Sequence, residues 1–198
     1  MGDALAELEH DYVGIARCKS CHGKALMGDQ VAVWKQGPHH DAFTTLKSEE
    51  SQAIALRDGI KGPAQEAPEC LACHVTAFHV NPDRISRPLK ASDGVQCESC
   101  HGPGRSYRKK SIMADTKKAR ANGLWDPSAA SGICERCHNS LSPTYDPARF
   151  TLKDGTQAGF DYDQAASYIT HPIPPDVKGR YIELDKARKK REKQARGQ

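Results

Sequence analysis

The sequence predicts a mainly α protein of short helices and long loops, with little or no β structure, folded around something other than a large apolar core. Three observations predict it. Of 198 residues only 37% are hydrophobic, and the mean hydropathy is −0.70. A chain of this size and polarity struggles to bury enough apolar surface unaided. The phrase Cys-x-x-Cys-His occurs four times. Strand signals are weak throughout, while Gly and Pro cut the helical patterns into short lengths.

The four copies are Cys18-Lys-Ser-Cys21-His22, Cys70-Leu-Ala-Cys73-His74, Cys97-Glu-Ser-Cys100-His101 and Cys134-Glu-Arg-Cys137-His138, and they use all eight cysteines. First cysteines are separated by 52, 27 and 37 residues, so the copies do not form a solenoid repeat. Residues 1–175 are expected to form one domain. Residues 176–198 are expected to be a basic C-terminal tail, exposed or helical.

In chain order, a short helical pattern covers Ala4–Glu9. An amphipathic stretch at Asp29–Lys35 contains Trp34 and is broken by Gly37-Pro38. A helical run is expected over Ala42–Leu56, then an exposed loop through Gly59, Gly62, Pro63 and Pro68. Residues 83–96 read as loop. Gly102-Pro103-Gly104 makes a sharp turn, followed by a basic helical pattern at Ser106–Ala121 that Asn122-Gly123 stops. A Pro-rich loop over 141–159 precedes a short helix near Asp161–Ile169. From Lys186 to Arg196 seven of eleven residues are Lys or Arg. That tail reads as a solvated terminus or as a docking patch for an acidic partner or anionic surface.

Eight cysteines permit a disulfide framework, yet disulfides give no reason for the His after each pair. Zinc knuckles leave the four histidines unexplained. A thioredoxin-like pair needs a βαβ context that is absent. Covalent haem attachment accounts for every position. Two thiols one helical turn apart reach the two vinyl groups of one porphyrin, and the next residue aims an imidazole at the iron. The cofactors are read as four c-type haems on Cys18, Cys21, Cys70, Cys73, Cys97, Cys100, Cys134 and Cys137. His22, His74, His101 and His138 are the proximal iron ligands. The second axial position decides the chemistry, since two His ligands close the iron to small molecules. The remaining histidines, His10, His39, His40, His79 and His171, are the distal candidates, and at least three are expected to serve.

The formal charge is +4. Four ferric haems at about −1 each bring the holoprotein to roughly zero, and full reduction to about −4. The apoprotein charge therefore does not argue for nucleic acid, and no basic stretch with interleaved aromatics supports it. No stretch has the apolar length of a transmembrane helix. The first twenty residues show no signal-peptide pattern. Haem attachment of this kind is completed outside the cytoplasm, so a mature periplasmic or extracellular protein is expected.

Tyr12-Val13-Gly14 before the first motif, Trp34 with His39, Ala42 and Leu46 behind it, and Cys70–Val75 all follow one pattern. Its most specific part is Gly94-Val-Gln-Cys-Glu-Ser-Cys-His-Gly-Pro-Gly-Arg105. From about Tyr12 to His171 the chain resembles the tetrahaem cytochrome c-554 family. That resemblance implies a mostly helical fold with haems in parallel-stacked and perpendicular pairs. It also implies His39 as one distal ligand and His171 as another. The chain departs from the family in two ways. Relatives carry a distal His shortly after the third motif, whereas Arg105–Asp115 contains none, and His10 and His79 are the substitutes. The family's second haem is five-coordinate, whereas here His79 follows His74 by five residues and is expected to reach a neighbouring haem. His40 is expected to be a ligand or a propionate contact. Trp34, Phe43, Tyr107 and Trp125 are expected to pack on porphyrins, and Arg105 to pair with a propionate or stand in solvent.

Three functions fit these residues. The first is an electron carrier between redox proteins outside the cytoplasm, through mostly bis-His haems, with no catalytic residues. The second is an enzyme with one open iron acting on a small nitrogen or oxygen species. The third is a subunit of a homo-oligomer or polymeric cytochrome wire in which His10 ligates a haem of the next molecule.

Overall fold

The computed structural model describes residues 10–86, 89–177 and 180–196. The helical pattern expected at Ala4–Glu9 lies outside them. Ten short helices run in chain order through the described residues. Helix α1 is Ile15–His22, α2 Gln30–Gln36, α3 Ala42–Thr45, α4 Glu49–Arg57 and α5 Pro68–His74. Then come α6, Cys97–His101, α7, Lys110–Met113, and α8, Thr116–Ala121. Helix α9 is Tyr162–Ser167 and α10 is Tyr181–Arg196. The β structure is one antiparallel pair, β1 Phe150–Thr151 with β2 Gln157–Ala158, and a single parallel bridge between Tyr12 and Ile85. The mainly α expectation is met.

Caps explain why two expected helices are each two. The run Ala42–Leu56 breaks because the Ser48 side chain accepts from Ser51 N–H at 3.1 Å and starts α4 afresh. An N-cap bond of this kind is worth about 1 kcal/mol. The break turns Leu46, 4% exposed, inward against Ala55 and Ala64. Ile60, Cys70 and Leu71 pack on this small cluster, which lies beneath the second motif. The basic pattern Ser106–Ala121 breaks likewise at Asp115, which accepts from Lys118 N–H at 3.1 Å and caps α8. Within the tail Tyr181–Arg196 forms the helix α10, with Asp185 buried at 2% exposure.

The segment 11–14 is clamped from two sides. Tyr12 N–H donates to Arg84 C=O at 2.9 Å, and Ser86 N–H to Tyr12 C=O at 2.9 Å. On the far side Arg105 N–H donates to Asp11 C=O at 3.0 Å. The stretch before the third motif ties the middle of the chain together. Trp34 Nε1–H donates to Val95 C=O at 2.9 Å, and Val95 N–H to His39 C=O at 3.1 Å. Gln96 N–H donates to Thr76 Oγ1 at 2.9 Å. Gly94 adopts φ +64°, and a Cβ there would meet the carbonyl oxygens of His40 at 2.8 Å and His39 at 2.9 Å. Only glycine fits both demands.

Candidate haem centres

Motifs one, two and three lie on α1, α5 and α6, so a helical turn separates their paired cysteines. The fourth departs from this, sitting on a 3₁₀ turn at Cys134–Arg136. All eight thiols are free and half-buried. The side chains of Cys18 and Cys97 lie close together, and so do those of Cys73 and Cys137. Motif one therefore abuts motif three, and motif two abuts motif four. Among the described residues no three His, Cys, Asp or Glu side chains converge as ligands of a bare metal ion.

Two of the distal candidates face motif histidines. The rings of His39 and His138 have centroids 6.0 Å apart, with planes at 60°. Those of His101 and His171 are 6.0 Å apart, with planes at 82°. Two imidazole–metal bonds of about 2 Å each, extended to the ring centres, come to roughly 6 Å. Each pair thus has the separation of two imidazoles on opposite sides of one iron.

Several imidazoles are also held in the ligating tautomer. His74 Nδ1–H donates to the Ala42 carbonyl at 2.6 Å, and His171 Nδ1–H to the Ile169 carbonyl at 2.6 Å. A carbonyl can only accept, so Nε2 carries the lone pair in both rings. At His22 the same role falls to Gln30, whose Oε1 lies 3.3 Å from Nδ1. Gln30 is buried and its Nε2 donates to Met27 C=O, which fixes the amide orientation. Burial, reinforced by His171 and His22, holds the His101 imidazole down at about 4. Burial lowers His22, His39 and His138 as well. Neutral imidazole is the metal-binding form.

The other three histidines sit elsewhere. His10 Nδ1 is 2.9 Å from Ser106 Oγ, and its ring covers Gly123. His40 Nδ1 is 2.6 Å from Asp41 Oδ1, and its ring stands edge-on to Trp34 at 4.7 Å. His79 is exposed beside Phe78. Among the described residues none of the three makes a ring contact with a motif histidine.

The aromatic residues fall between the motifs. Trp125 lies under Gly102, where a Cβ would come within 2.8 Å of the indole, and the Arg136 guanidinium sits 4.9 Å from its ring centre. Tyr107 is buried and its hydroxyl donates to Gly102 C=O at 2.8 Å. Phe160 stacks on His138 at 5.4 Å beside a shallow, open surface hollow. Phe43 is half-buried on α3, and Arg105 is exposed.

Pattern reading passed over Glu98. It lies inside the third motif, 0% exposed, and its carboxylate accepts from three backbone N–H groups: Val13 at 2.9 Å, Gly14 at 2.7 Å and Gly104 at 2.6 Å. Burial pushes its carboxyl above the usual range, and those three bonds oppose the push. The glycines flanking motifs one and three were the available signal: Gly104 leaves space where a Cβ would sit 3.1 Å from Glu98 Oε1.

The paired imidazoles and free thiols fit haem, as do two buried polar groups without a partner in the chain, the Gln96 amide and Trp125 Nε1–H. Four such attachment sites on a helical scaffold define a multihaem c-type cytochrome. Residues 17–102 match the family described as "Cytochrome c554 and c-prime". Cytochrome c-554 of Nitrosomonas europaea is 37% identical over 111 residues, which is 54% of this chain and 44% of that protein. The chain thus aligns with less than half the relative's length. The chain is a tetrahaem c-type cytochrome resembling the cytochrome c-554 family, and its cofactors are four haem c groups. The solved structure of reduced cytochrome c554 from Nitrosomonas europaea covers 80% of this chain and 78% of its own, at TM-score 0.49 and 22% identity.

Proposed function

We propose that the protein carries electrons between redox proteins outside the cytoplasm through closely packed haems, at least two of them with two histidine ligands. The observation that carries this reading is the 6.0 Å separation within both His39–His138 and His101–His171. When bound, each haem supplies a one-electron ferric/ferrous couple. Cys18 with Cys21, Cys70 with Cys73, Cys97 with Cys100 and Cys134 with Cys137 would hold the porphyrins. His22, His74, His101 and His138 would be proximal ligands, and His39 and His171 distal ones. The closeness of Cys18 to Cys97, of Cys73 to Cys137 and of Cys100 to Cys134 supports haems packed next to one another. Residues 1–175 would form the haem-binding unit. Redox titration followed by electron paramagnetic resonance tests the reading. Four one-electron centres are expected, at least two of them low-spin, and fewer than four haems by mass would sink it.

A second reading has one specific support. Among the described residues no histidine ring makes a ring contact with His22 or His74, which supports an iron with an open position at one of them. An open iron would bind a small nitrogen or oxygen species. Unchanged spectra on adding nitric oxide would remove this reading.

A further inference from the structure

The excess positive charge of the chain is confined to one helix. Helix α10 holds seven Lys and Arg against three Asp and Glu, a net of +4, equal to the formal +4 of all 198 residues. The remainder is balanced before any haem propionate is counted. The helix is fixed in place by Asp185. Its carboxylate takes Lys110 Nζ at 2.7 Å, Arg188 at 3.0 Å, Lys189 at 3.2 Å and Lys24 at 3.7 Å. Lys24 and Lys110 belong to the body of the protein, so this buried carboxylate joins α10 to it. The same face carries Tyr181, whose hydroxyl lies close to the Cys21 thiol of the first motif and whose ring lies 4.9 Å from Lys110 Nζ. Lys186, Lys190 and Lys193 recur at i, i+4 and i+7, which puts them in one stripe. That stripe lies opposite Tyr181, Asp185 and Arg188. All three lysines are exposed and, among the described residues, have no carboxylate partner.

We propose that the Lys186–Lys190–Lys193 face of α10 is the docking surface for an acidic electron-transfer protein. The inference rests on the electron-carrier reading. One electron passes per encounter: the donor is oxidised by one electron as a ferric iron becomes ferrous, or the reverse, and no bond is made or broken. Charge complementarity selects the partner's sign. A membrane surface is the poorer occupant, because a helix lying in an interface buries an apolar face. Beyond Leu184 the only apolar residues of α10 are Ala187 and Ala195.

The test uses the four-haem protein and an acidic plastocyanin as the probe, with vesicles containing phosphatidylserine as a second arm. Plastocyanin binding is expected to weaken as salt is raised. It is expected to weaken about tenfold or more in the variant K186E/K190E/K193E, which keeps the Asp185 contacts. The variant's four-electron titration and low-spin spectra should match the parent. Failure of the four-electron titration in the parent defeats the electron-carrier reading itself. With that titration intact, three results overturn the docking surface: no salt-sensitive binding of plastocyanin, equal affinity in the variant, or binding to vesicles alone.

Discussion

The imidazoles of His39 and His138 lie with their centroids 6.0 Å apart although 99 residues separate them in the chain. His39 is held there by its own backbone, since its carbonyl accepts from Val95 N–H. Replacing His39 or His171 by Ala should therefore convert one low-spin haem to high-spin while leaving the other three unchanged. Electron paramagnetic resonance counts the two populations. A variant with an unaltered low-spin count would show that the imidazole was not a ligand.

Gly94 sets the same geometry from behind. Gly94→Ala would push a methyl group against the carbonyls of His39 and His40 at a positive φ. Strain on the order of 1–3 kcal/mol is expected. It should lower the melting temperature and disturb the spectrum of the haem at His138 before the others.

Glu98→Gln replaces one acceptor oxygen by an amide donor facing backbone N–H groups. A loss of about 1–3 kcal/mol is expected, read by denaturant unfolding. The pH dependence should change as well. The native carboxyl holds its proton more tightly than an unfolded one, so this group makes stability fall as pH rises above the ordinary carboxylate value. That component should vanish in the Gln variant. A parent and variant with parallel pH profiles would contradict the assignment.

Asp185→Asn should detach α10 from Lys24 and Lys110 at a cost of about 2 kcal/mol, read as lost helical circular dichroism and faster amide exchange over 181–196. The Lys110 ammonium beside Asp185, with help from Arg188 and Lys189, holds this carboxyl well below its usual range. Its stabilising contribution is therefore complete above the ordinary Asp value and is lost as pH falls below it. In the parent, α10 should loosen under acid before the haem spectra change.

His40→Ala and His79→Ala should leave the low-spin count unaltered. His40 is held by Asp41, and His79 is exposed beside Phe78. Loss of a low-spin signal in either variant would place that residue on an iron after all.

Much of the centre was legible because covalent attachment demands a local phrase. The cysteines and the following His must be neighbours in sequence, so four haems could be read directly. His39 and His171 were reached through resemblance, because a distal ligand arrives from a remote segment and leaves no spacing rule. The division of Ala42–Leu56 depended on Ser48 competing as a cap, a short-range choice that periodicity does not register. Glu98 was passed over because an acidic residue inside a motif reads as solvated. Its partners are backbone amides, which no side-chain pattern reveals. The charge of the tail was plain from composition, but its anchoring was not, since Lys24 and Lys110 lie far from Asp185 in the chain.

The clasp of Glu98 on Val13 joins residues 85 apart in sequence. A contact of that span cannot form until the intervening chain has been made and its ends brought together. Closure of the segment ahead of the first motif is thus deferred until the third motif exists. Until then Cys18 and Cys21 lie next to a segment that Glu98 has not yet closed, which leaves their thiols reachable for attachment.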